Sequence, residues 1–374
     1  MTNRIHDQQA SQVSNLLAGG IIVESGNNHD IVSCFSIEKG LITTKALVLF
    51  LKKENKFLTT KNNLAIQTHG LSKSFGEVQA LRDLDLAVPK NSITGFLGPN
   101  GAGKTTAIRL LLGLNQPTAG SGKIFGLDIH HDSEEIRRRT GYLAQEPRFY
   151  DDMTAREILR FAARFFFSGP PKGIEDRIDE MLEMVGLVAK ADRPIKGFSG
   201  GEKQRLGIAQ AQINAPELLI LDEPAASLDP MGRRDVLQIM ERLRGQATVF
   251  YSTHILGDVQ RVSDQVVILN QGYLVTQGPI ELLLGGSDGI VFSLEIQGST
   301  HQAREIITRQ PWVTSLDSQV MNGNTLFRVA VNDEEAAEAQ LLRLVLADQD
   351  LTVLRFGKEK LELEEVFLQL VEGV

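Results

Sequence analysis

The chain has 374 residues, of which 42% are apolar and 23% charged, and its formal net charge is −8. This acidic balance gives no support to general nucleic-acid binding, which needs a basic surface. No run of about 18 apolar residues occurs, so no segment is predicted to cross a membrane as a helix. The single cysteine, Cys34, excludes a disulfide within the chain and a thiolate metal cage. The length predicts two or three domains of an intracellular α/β protein.

The N-terminal stretch, residues 1–62, is rich in Asn, Gln, Ser and Thr and contains no recognisable motif. It lacks the basic-then-apolar order of a secretory signal. We interpret it as a poorly ordered extension. A regulatory arm and a mis-assigned translation start are the alternatives, because recognisable structure begins only near Leu64.

A phosphate-binding loop is predicted where an apolar strand, residues 92–97, meets a helix predicted over Ala107–Leu114. The pattern G-x-x-x-x-G-K-[ST] lies between them, in the strand–loop–helix context that it requires. Backbone N–H groups of such a loop cradle phosphate oxygens, and the helix dipole adds positive potential. The lysine is expected to reach the β- and γ-phosphates and the first threonine hydroxyl to bind Mg²⁺. The loop residues are Gly98, Pro99, Asn100, Gly101, Ala102, Gly103, Lys104, Thr105 and Thr106.

A second motif is an apolar run, residues 217–221, that ends in Asp222 and Glu223. Such a run is typical of a parallel strand buried on both faces. Ligands bind beyond the carboxyl ends of such strands. We therefore expect Asp222 to hold Mg²⁺ and Glu223 to act as the general base toward water.

A third motif, Ser199-Gly200-Gly201-Glu202, opens a predicted helix. A hydroxyl, free N–H groups and a helix dipole together favour an anion site. A plain helix N-cap would also explain these residues. The position shortly before Asp222 favours the anion site.

Together these motifs resemble those of the ATP-binding cassette (ABC) ATPase family over roughly residues 64–282. Residues 98–106 resemble its Walker A loop and residues 218–223 its Walker B strand. Residues 199–204 resemble its signature, with Phe198 in place of Leu and Glu202 in place of Gln. The resemblance implies an α/β P-loop NTPase cassette with a RecA-like core and a helical subdomain at about residues 146–198.

The resemblance also assigns roles outside these three motifs. It implies that Phe75 stacks on adenine, that Gln145 reaches Mg²⁺ and the attacking water, and that Asp229 faces a partner cassette. His254 would contact the γ-phosphate. A lone histidine after a strand is more often structural, but this one is in register with the other motifs.

The mechanism that the resemblance implies needs two cassettes, ATP and Mg²⁺. Ser199, Gly200, Gly201 and Glu202 of one chain would close over the ATP held by Lys104 of the other, in a homodimer or a heterodimer. Lys104, Gln145, Glu223 and His254 would be the catalytic residues. The expected partner is a separate transmembrane permease, with this chain peripheral on the cytoplasmic face of the cell membrane and no nucleic acid bound.

Aromatic residues are concentrated in the predicted helical subdomain. Residues 154–157 fit a capping box, and Ile158, Phe161, Ala162 and Phe165 follow at helical spacing. This spacing is typical of ordinary core, but a groove near residues 150–167 for a coupling helix of a membrane subunit is the alternative.

The C-terminal residues 290–374 carry a net charge of −7, which indicates a separate unit. A hairpin turning at residues 271–272 and a Gly-rich linker, residues 285–289, are predicted to precede it. The pattern beyond the linker is βαββαβ, so we predict a small ferredoxin-like α+β accessory domain. Its closing helix, Leu361–Val371, resembles the ending of bacterial drug- and antibiotic-exporter ATPases. A dimerising or docking module and a ligand sensor are both open.

The first functional hypothesis is therefore the ATPase subunit of an ABC exporter of drugs, antibiotics or similar compounds. A soluble ABC ATPase acting on ribosomes or nucleic acid is the second. It is disfavoured because the chain has neither a second cassette nor a long coiled-coil insertion. A P-loop kinase is the third, and it leaves residues 199–201 and His254 without a role.

Overall fold

A computed structural model describes residues 63–168, 170–284, 290–298, 300–321, 323–347, 351–359, 363–364 and 367. The predicted N-terminal extension and the linker at 285–289 lie outside the described residues. None of the helices in the described part is long and apolar enough to cross a membrane.

The first half of the described chain alternates strands and helices. The elements are β1 (Leu64–Phe75), β2 (Val78–Leu84), β3 (Ala87–Pro89), β4 (Ile93–Leu97), α1 (Lys104–Leu111), β5 (Ala119–Ile124), β6 (Leu127–Asp128), α2 (Ser133–Arg138), β7 (Thr140–Leu143), α3 (Ala155–Ala163), α4 (Pro171–Met184) and α5 (Gly200–Gln212).

The second half continues this alternation and then adds a separate sheet. The elements are β8 (Leu218–Leu221), α6 (Pro230–Arg242), β9 (Thr248–Thr253), α7 (Leu256–Val262), β10 (Gln265–Asn270), β11 (Tyr273–Pro279), α8 (Ile280–Leu284), β12 (Ile290–Gly298), α9 (His301–Thr308), β13 (Val313–Met321), β14 (Asn324–Val331), α10 (Glu334–Leu346) and β15 (Leu351–Glu359).

The central sheet has six strands in the order β11-β10-β4-β9-β8-β7. The five strands from β10 to β7 are parallel, and only β11 pairs antiparallel. Strand β8 shows why these strands are apolar throughout. Leu218 and Ile220 belong to one apolar cluster and Leu219 and Leu221 to another, so both faces of the strand are buried. The carboxyl ends of β4, β9, β8 and β7 therefore meet at one edge, which is where the predicted motifs lie.

An antiparallel sheet and two sets of helices cover the central sheet. The antiparallel sheet has the order β2-β1-β5-β6, with β3 also paired to β1. It shares an apolar cluster with helix α1 and one face of the central sheet, where Phe96 and Phe250 lie 5.1 Å apart. Helices α3 to α7 contribute to the cluster on the other face.

The C-terminal region, residues 290–359, has the βαββαβ order that the sequence predicts. Its strands form an antiparallel sheet in the order β13-β14-β12-β15. Alternate residues Phe292, Leu294 and Ile296 of β12 are buried in a third cluster with helices α9 and α10. Three residues of the predicted closing helix are described and are helical, and one of them, Leu363, is buried in the cluster of helices α3 to α7.

Two local predictions differ from the structure. Helix α1 begins at Lys104 rather than Ala107, because Gly103 adopts a left-handed φ of 106° and starts the helix inside the loop. In helix α3 the buried residues include Ile158 and Ala162, whereas Phe161, and Phe165 just after the helix, are exposed. The core interpretation of these two phenylalanines is therefore wrong.

Candidate functional site

The loop after β4 is fixed by close backbone contacts that only glycine permits. A Cβ on Gly98 would lie 2.4 Å from the Leu269 carbonyl oxygen, and one on Gly103 would lie 2.5 Å from the Ala80 carbonyl oxygen. The Gly272 N–H, in the turn of the β10–β11 hairpin, also donates to the Ala102 carbonyl at 2.9 Å. Strands β2 and β10 and the β10–β11 turn therefore hold the loop in place.

Lys104 is the first residue of α1, and its ammonium group turns back into the loop. Its Nζ donates to the Gly98 carbonyl at 2.6 Å and to the Pro99 carbonyl at 3.2 Å, and it lies 3.2 Å from Oε1 of Glu223. The side chains of Lys104 and Glu223 are both 6% exposed. A buried cation is thus held where the loop closes, beside a buried carboxylate.

The carboxylate of Asp222 lies beside the threonine of the loop. The Thr105 hydroxyl is 3.4 Å from Asp222 Oδ1, which also accepts a 2.6 Å hydrogen bond from Ser252 Oγ. These oxygens suit Mg²⁺, which prefers hard oxygen ligands and takes one or two from protein beside phosphates and water. The donor set therefore fits a nucleotide-bound Mg²⁺.

Glu223 has an unusual backbone, with a φ of 49°, which is uncommon for a residue other than glycine. Its N–H donates to Ser252 Oγ at 2.8 Å, and its Oε2 lies 2.9 Å from His254 Nδ1. The turn holds the carboxylate between Lys104 and His254. Because β9 lies between β4 and β8, its last residues bring His254 beside both other motifs.

Two further predicted site residues, Gln145 and Phe75, have exposed side chains. Gln145 follows β7 at the same sheet edge with an exposed side chain, and its carbonyl accepts a 3.4 Å bond from Gln204. Phe75 ends β1 and is 49% exposed, with Lys73 Nζ 5.0 Å from the ring centroid. Among the described residues, the contacts of these two are with Gln204 and Lys73, and neither is bonded to Asp222 or Glu223.

The signature residues form the start of helix α5. Ser199 Oγ accepts from the Glu202 N–H, and the Glu202 carboxylate accepts from the Ser199 N–H at 2.9 Å. Burial raises the pKa of Glu202, but hydrogen bonds from Lys190 and Ser199 outweigh it, so the net shift is downward. Gly201 packs against the start of α6, where its Cβ would lie 3.7 Å from Gly232. The signature residues therefore lie beside the first turn of α6, which follows Asp229 in the same chain.

Sequence reasoning missed two features of this site. Ser252 bridges Asp222 and Glu223, and the signal for it is a small polar residue in a strand whose six residues are all buried. Arg233 and Asp258 form an ion pair behind His254, with Arg233 Nε 2.6 Å from Asp258 Oδ1. Nothing in the local sequence connects these two residues, which lie on different helices.

Comparison with known proteins identifies the family. The family model described as ABC transporter matches residues 81–226. ABC transporter ATP-binding protein YxlF of Bacillus subtilis is 38% identical over 82% of this chain and 100% of its own length. The bacitracin transport ATP-binding protein BcrA of Bacillus licheniformis is 35% identical over 82% of this chain and 97% of its own.

The chain belongs to the ABC transporter ATP-binding proteins. It binds ATP and hydrolyses it to drive transport, as the ATPase subunit of an ABC transporter. Two solved structures share the cassette fold. An ATP-binding subunit of an ABC transporter aligns with a TM-score of 0.53 at 30% identity, over 59% of this chain and 91% of its own. The cassette MJ0796, solved as a dimer with ADP and Pi, aligns with a TM-score of 0.53 at 24% identity, over 57% and 98%.

Proposed function

We propose that two cassettes close over two ATP molecules and that their hydrolysis powers a separate membrane permease that exports antibiotic-like compounds. The second cassette is a copy of this chain or a related chain. In this arrangement Ser199 and Gly201 of one cassette face the nucleotide on Lys104 of the other, and Asp229 faces the partner. Phe75, exposed at the end of β1, would stack on adenine.

The single observation that carries this proposal is the cluster in which buried Lys104 and Glu223 meet His254. The Glu223 carboxylate has one oxygen 3.2 Å from the Lys104 ammonium and the other 2.9 Å from His254 Nδ1. A carboxylate held in this way can orient a water molecule and accept its proton. Lys104 and His254 would stabilise charge that develops on the γ-phosphate oxygens. Catalysis would come from positioning and electrostatics, without a covalent intermediate.

Thr105 and Asp222 would hold Mg²⁺, with Gln145 reaching it from the end of β7. The bound ion would neutralise charge on the β- and γ-phosphates. Ser252 donates to Asp222 Oδ1, which keeps this carboxylate oriented toward Thr105. The protein's own part is to fix these oxygens at the edge of the sheet.

The permease would dock on the surface of the helical subdomain, which would place the chain on the cytoplasmic face of the cell membrane. A groove of about 450 Å³ runs between α3 and β7, lined partly by Tyr142, Phe161, Phe165 and Phe166. The two rings of Phe161 and Phe165 lie 5.2 Å apart, edge to face, and both are exposed. An apolar, aromatic groove of this kind suits a short amphipathic helix of a partner protein.

One relative supports export as the direction of transport, and a second supports an antibiotic as the kind of substrate. The Nod factor export ATP-binding protein I of Neorhizobium galegae is 33% identical over 82% of this chain, and BcrA acts in bacitracin transport. Neither similarity favours action on ribosomes or nucleic acid.

We further assign residues 63–284 to the cassette, 290–374 to an accessory domain and 1–62 to an extension. The separate apolar cluster of residues 290–359 supports this division, whereas Leu363, in the last part of the chain, packs into the cluster of helices α3 to α7.

The Glu223→Gln variant tests the proposal. With the base removed, ATP should bind but remain unhydrolysed, so the variant should form an ATP-dependent dimer that gel filtration resolves. Steady-state hydrolysis should fall by about 100-fold or more. Glu217→Gln, at an exposed carboxylate before the same strand, is the matched control and should keep parental activity. Parental turnover in Glu223→Gln would refute this carboxylate as the base.

A further inference from the structure

We propose that Arg233 and Asp258 are a positioning pair. It makes Asp229, at the start of α6, and His254, between β9 and α7, move as one unit. Both residues lie outside the nucleotide-binding motifs. Arg233 is in helix α6 and Asp258 is in helix α7, and their ion pair is the shorter of two between these helices, the other spanning 4.0 Å. The proposal rests on the closed, two-ATP dimer described above.

Only one of the two Asp258 carboxylate oxygens has a hydrogen-bond partner among the described residues. The Asp258 side chain is 2% exposed, and its Oδ1 accepts from Arg233 Nε at 2.6 Å. Its Oδ2 is buried without a hydrogen-bond partner among the described residues. The guanidinium also lies against Gly257, where an added Cβ would be 3.8 Å from Nη2. A buried carboxylate with one strong partner follows that partner, because separation would leave an unpaired buried charge.

The environment of Asp258 supports this dependence. Burial raises the pKa of Asp258, while the hydrogen bond and charge of Arg233 oppose the rise. Arg261 and His254 also lower the pKa through their charges. Burial therefore destabilises the ionised form of Asp258, and Arg233 is the group that offsets most of this destabilisation.

The Arg233 end of the pair is joined to the signature. Arg233 follows Asp229, and its N–H donates to the Asp229 carbonyl at 2.9 Å in the first turn of α6. The Asp229 side chain caps this helix by accepting from the Gly232 N–H at 3.1 Å. Gly232 in turn packs against Gly201, whose Cβ would lie 3.7 Å away. Movement of the signature is thereby transmitted to α6.

The Asp258 end is joined to the hydrolytic residues. Asp258 lies four positions after His254, and its N–H donates to the Ile255 carbonyl at 3.2 Å. His254 contacts Glu223 at 2.9 Å. In the proposed dimer Gly201 serves the partner's ATP, whereas His254 and Glu223 serve the chain's own. The pair therefore connects residues that one chain contributes to two different ATP sites. When Gly201 closes on the partner's ATP, the pair aligns His254 at the chain's own ATP.

The test is a double-mutant cycle of Arg233→Met, Asp258→Asn and the double variant. For each full-length protein, the ATP concentration dependence of hydrolysis gives kcat, KM and the Hill coefficient, and thermal unfolding gives Tm. Arg234→Met, at the exposed neighbouring position of the same helix, is the matched control. Each single variant should lower kcat by about 2- to 30-fold and bring the Hill coefficient toward one, with KM little changed. Arg234→Met should match the parent.

The double variant separates positioning from stability. Removing both charges relieves the unpaired carboxylate, so the Tm should return toward the parental value. If kcat and the Hill coefficient stay low at that restored Tm, the pair has a positioning role. If kcat recovers together with Tm, or if the single variants keep a parental Hill coefficient, the proposal is overturned. A Glu223→Gln variant that binds ATP but forms no ATP-dependent dimer would instead refute the proposed function itself.

Discussion

Residues 63–284, which we assign to the cassette, and the C-terminal region, residues 290–359, both bury apolar side chains between sheets and helices, but they differ in how many polar side chains they bury. Seventeen polar or charged side chains of the described residues are buried, and all of them lie in the cassette. Lys104, Asp222, Glu223 and Asp258 are among them. A buried charge is costly unless it is paired, and the described residues of the C-terminal region bury none.

The backbone shows the same contrast. Among the described residues, every positive φ outside glycine belongs to the cassette, including Glu223 at 49° and Ser227 at 59°. In the C-terminal region the positive φ values belong to Gly298 and Gly323, where no Cβ opposes them. Strain is thus confined to the part of the chain that carries the chemistry. It follows that stability and activity should respond separately to changes in the two regions.

The largest expected effect is on stability, from Phe327→Ala in the C-terminal region. Phe327 is 1% exposed in the cluster of helices α9 and α10, and a buried Phe→Ala change costs about 3–5 kcal/mol. Hydrogen exchange should show loss of protection in residues 290–359, while ATP hydrolysis stays within about twofold of the parental rate. Phe250→Ala, in the central sheet, is the matched cassette variant and should abolish activity with folding. Loss of hydrolysis in Phe327→Ala would show that the two regions are not separable.

His254→Ala should lower activity and leave stability unchanged, which is the opposite of the result expected for Phe327→Ala. The His254 side chain is 42% exposed and contacts Glu223, so its removal leaves little cavity but takes away a group near the reacting phosphate. We expect kcat to fall by about 100-fold, with Tm almost unchanged. The exposed His301 of the C-terminal region is the control, and His301→Ala should affect neither quantity. A His254→Ala variant with parental kcat would remove this histidine from the mechanism.

The parts predicted from sequence depend on local patterns. The phosphate loop, the strand before Asp222 and the start of α5 are each set by residues close in the chain, and the family resemblance to ABC ATPases is confirmed. The βαββαβ order of the C-terminal region follows likewise from alternation and turn residues. Periodicity does not specify which face of α3 is covered, so the exposure of Phe161 and Phe165 was not predictable.

The contacts that were missed join residues distant in the chain. Ser252 reaches Asp222 and Glu223 because β9 and β8 are parallel neighbours, a pairing that no local pattern specifies. The Arg233–Asp258 pair depends in the same way on how α6 and α7 pack. Sequence therefore identifies the residues proposed to contact nucleotide more readily than the residues that position them.

Ser252→Ala removes one hydroxyl from the cassette, and its effect on kcat can be compared with the loss of one hydroxyl from the C-terminal region. The change removes the bond to Asp222 Oδ1 and leaves the Glu223 N–H without its acceptor. A lost hydrogen bond to a charged group costs about 1.5–3 kcal/mol, and about 1.4 kcal/mol of that in the barrier would lower kcat tenfold. Ser293→Ala is the control, since that partly buried hydroxyl has only a 3.4 Å contact with the Gly357 carbonyl. Equal effects of the two changes on kcat would argue against a role for Ser252.

The smallest expected effects are at two helix caps, where the contrast between the regions should disappear. Thr154 caps α3 by accepting from the Glu157 N–H, and Asp333 caps α10 by accepting from the Ala336 N–H. Because each side chain accepts from the backbone N–H three residues on, Thr154→Ala and Asp333→Ala should each cost about 1 kcal/mol of unfolding free energy. Neither should change kcat, as urea titration and ATPase assays would show. If Thr154→Ala lowered kcat while Asp333→Ala did not, the start of α3 would have to contribute to ATP hydrolysis.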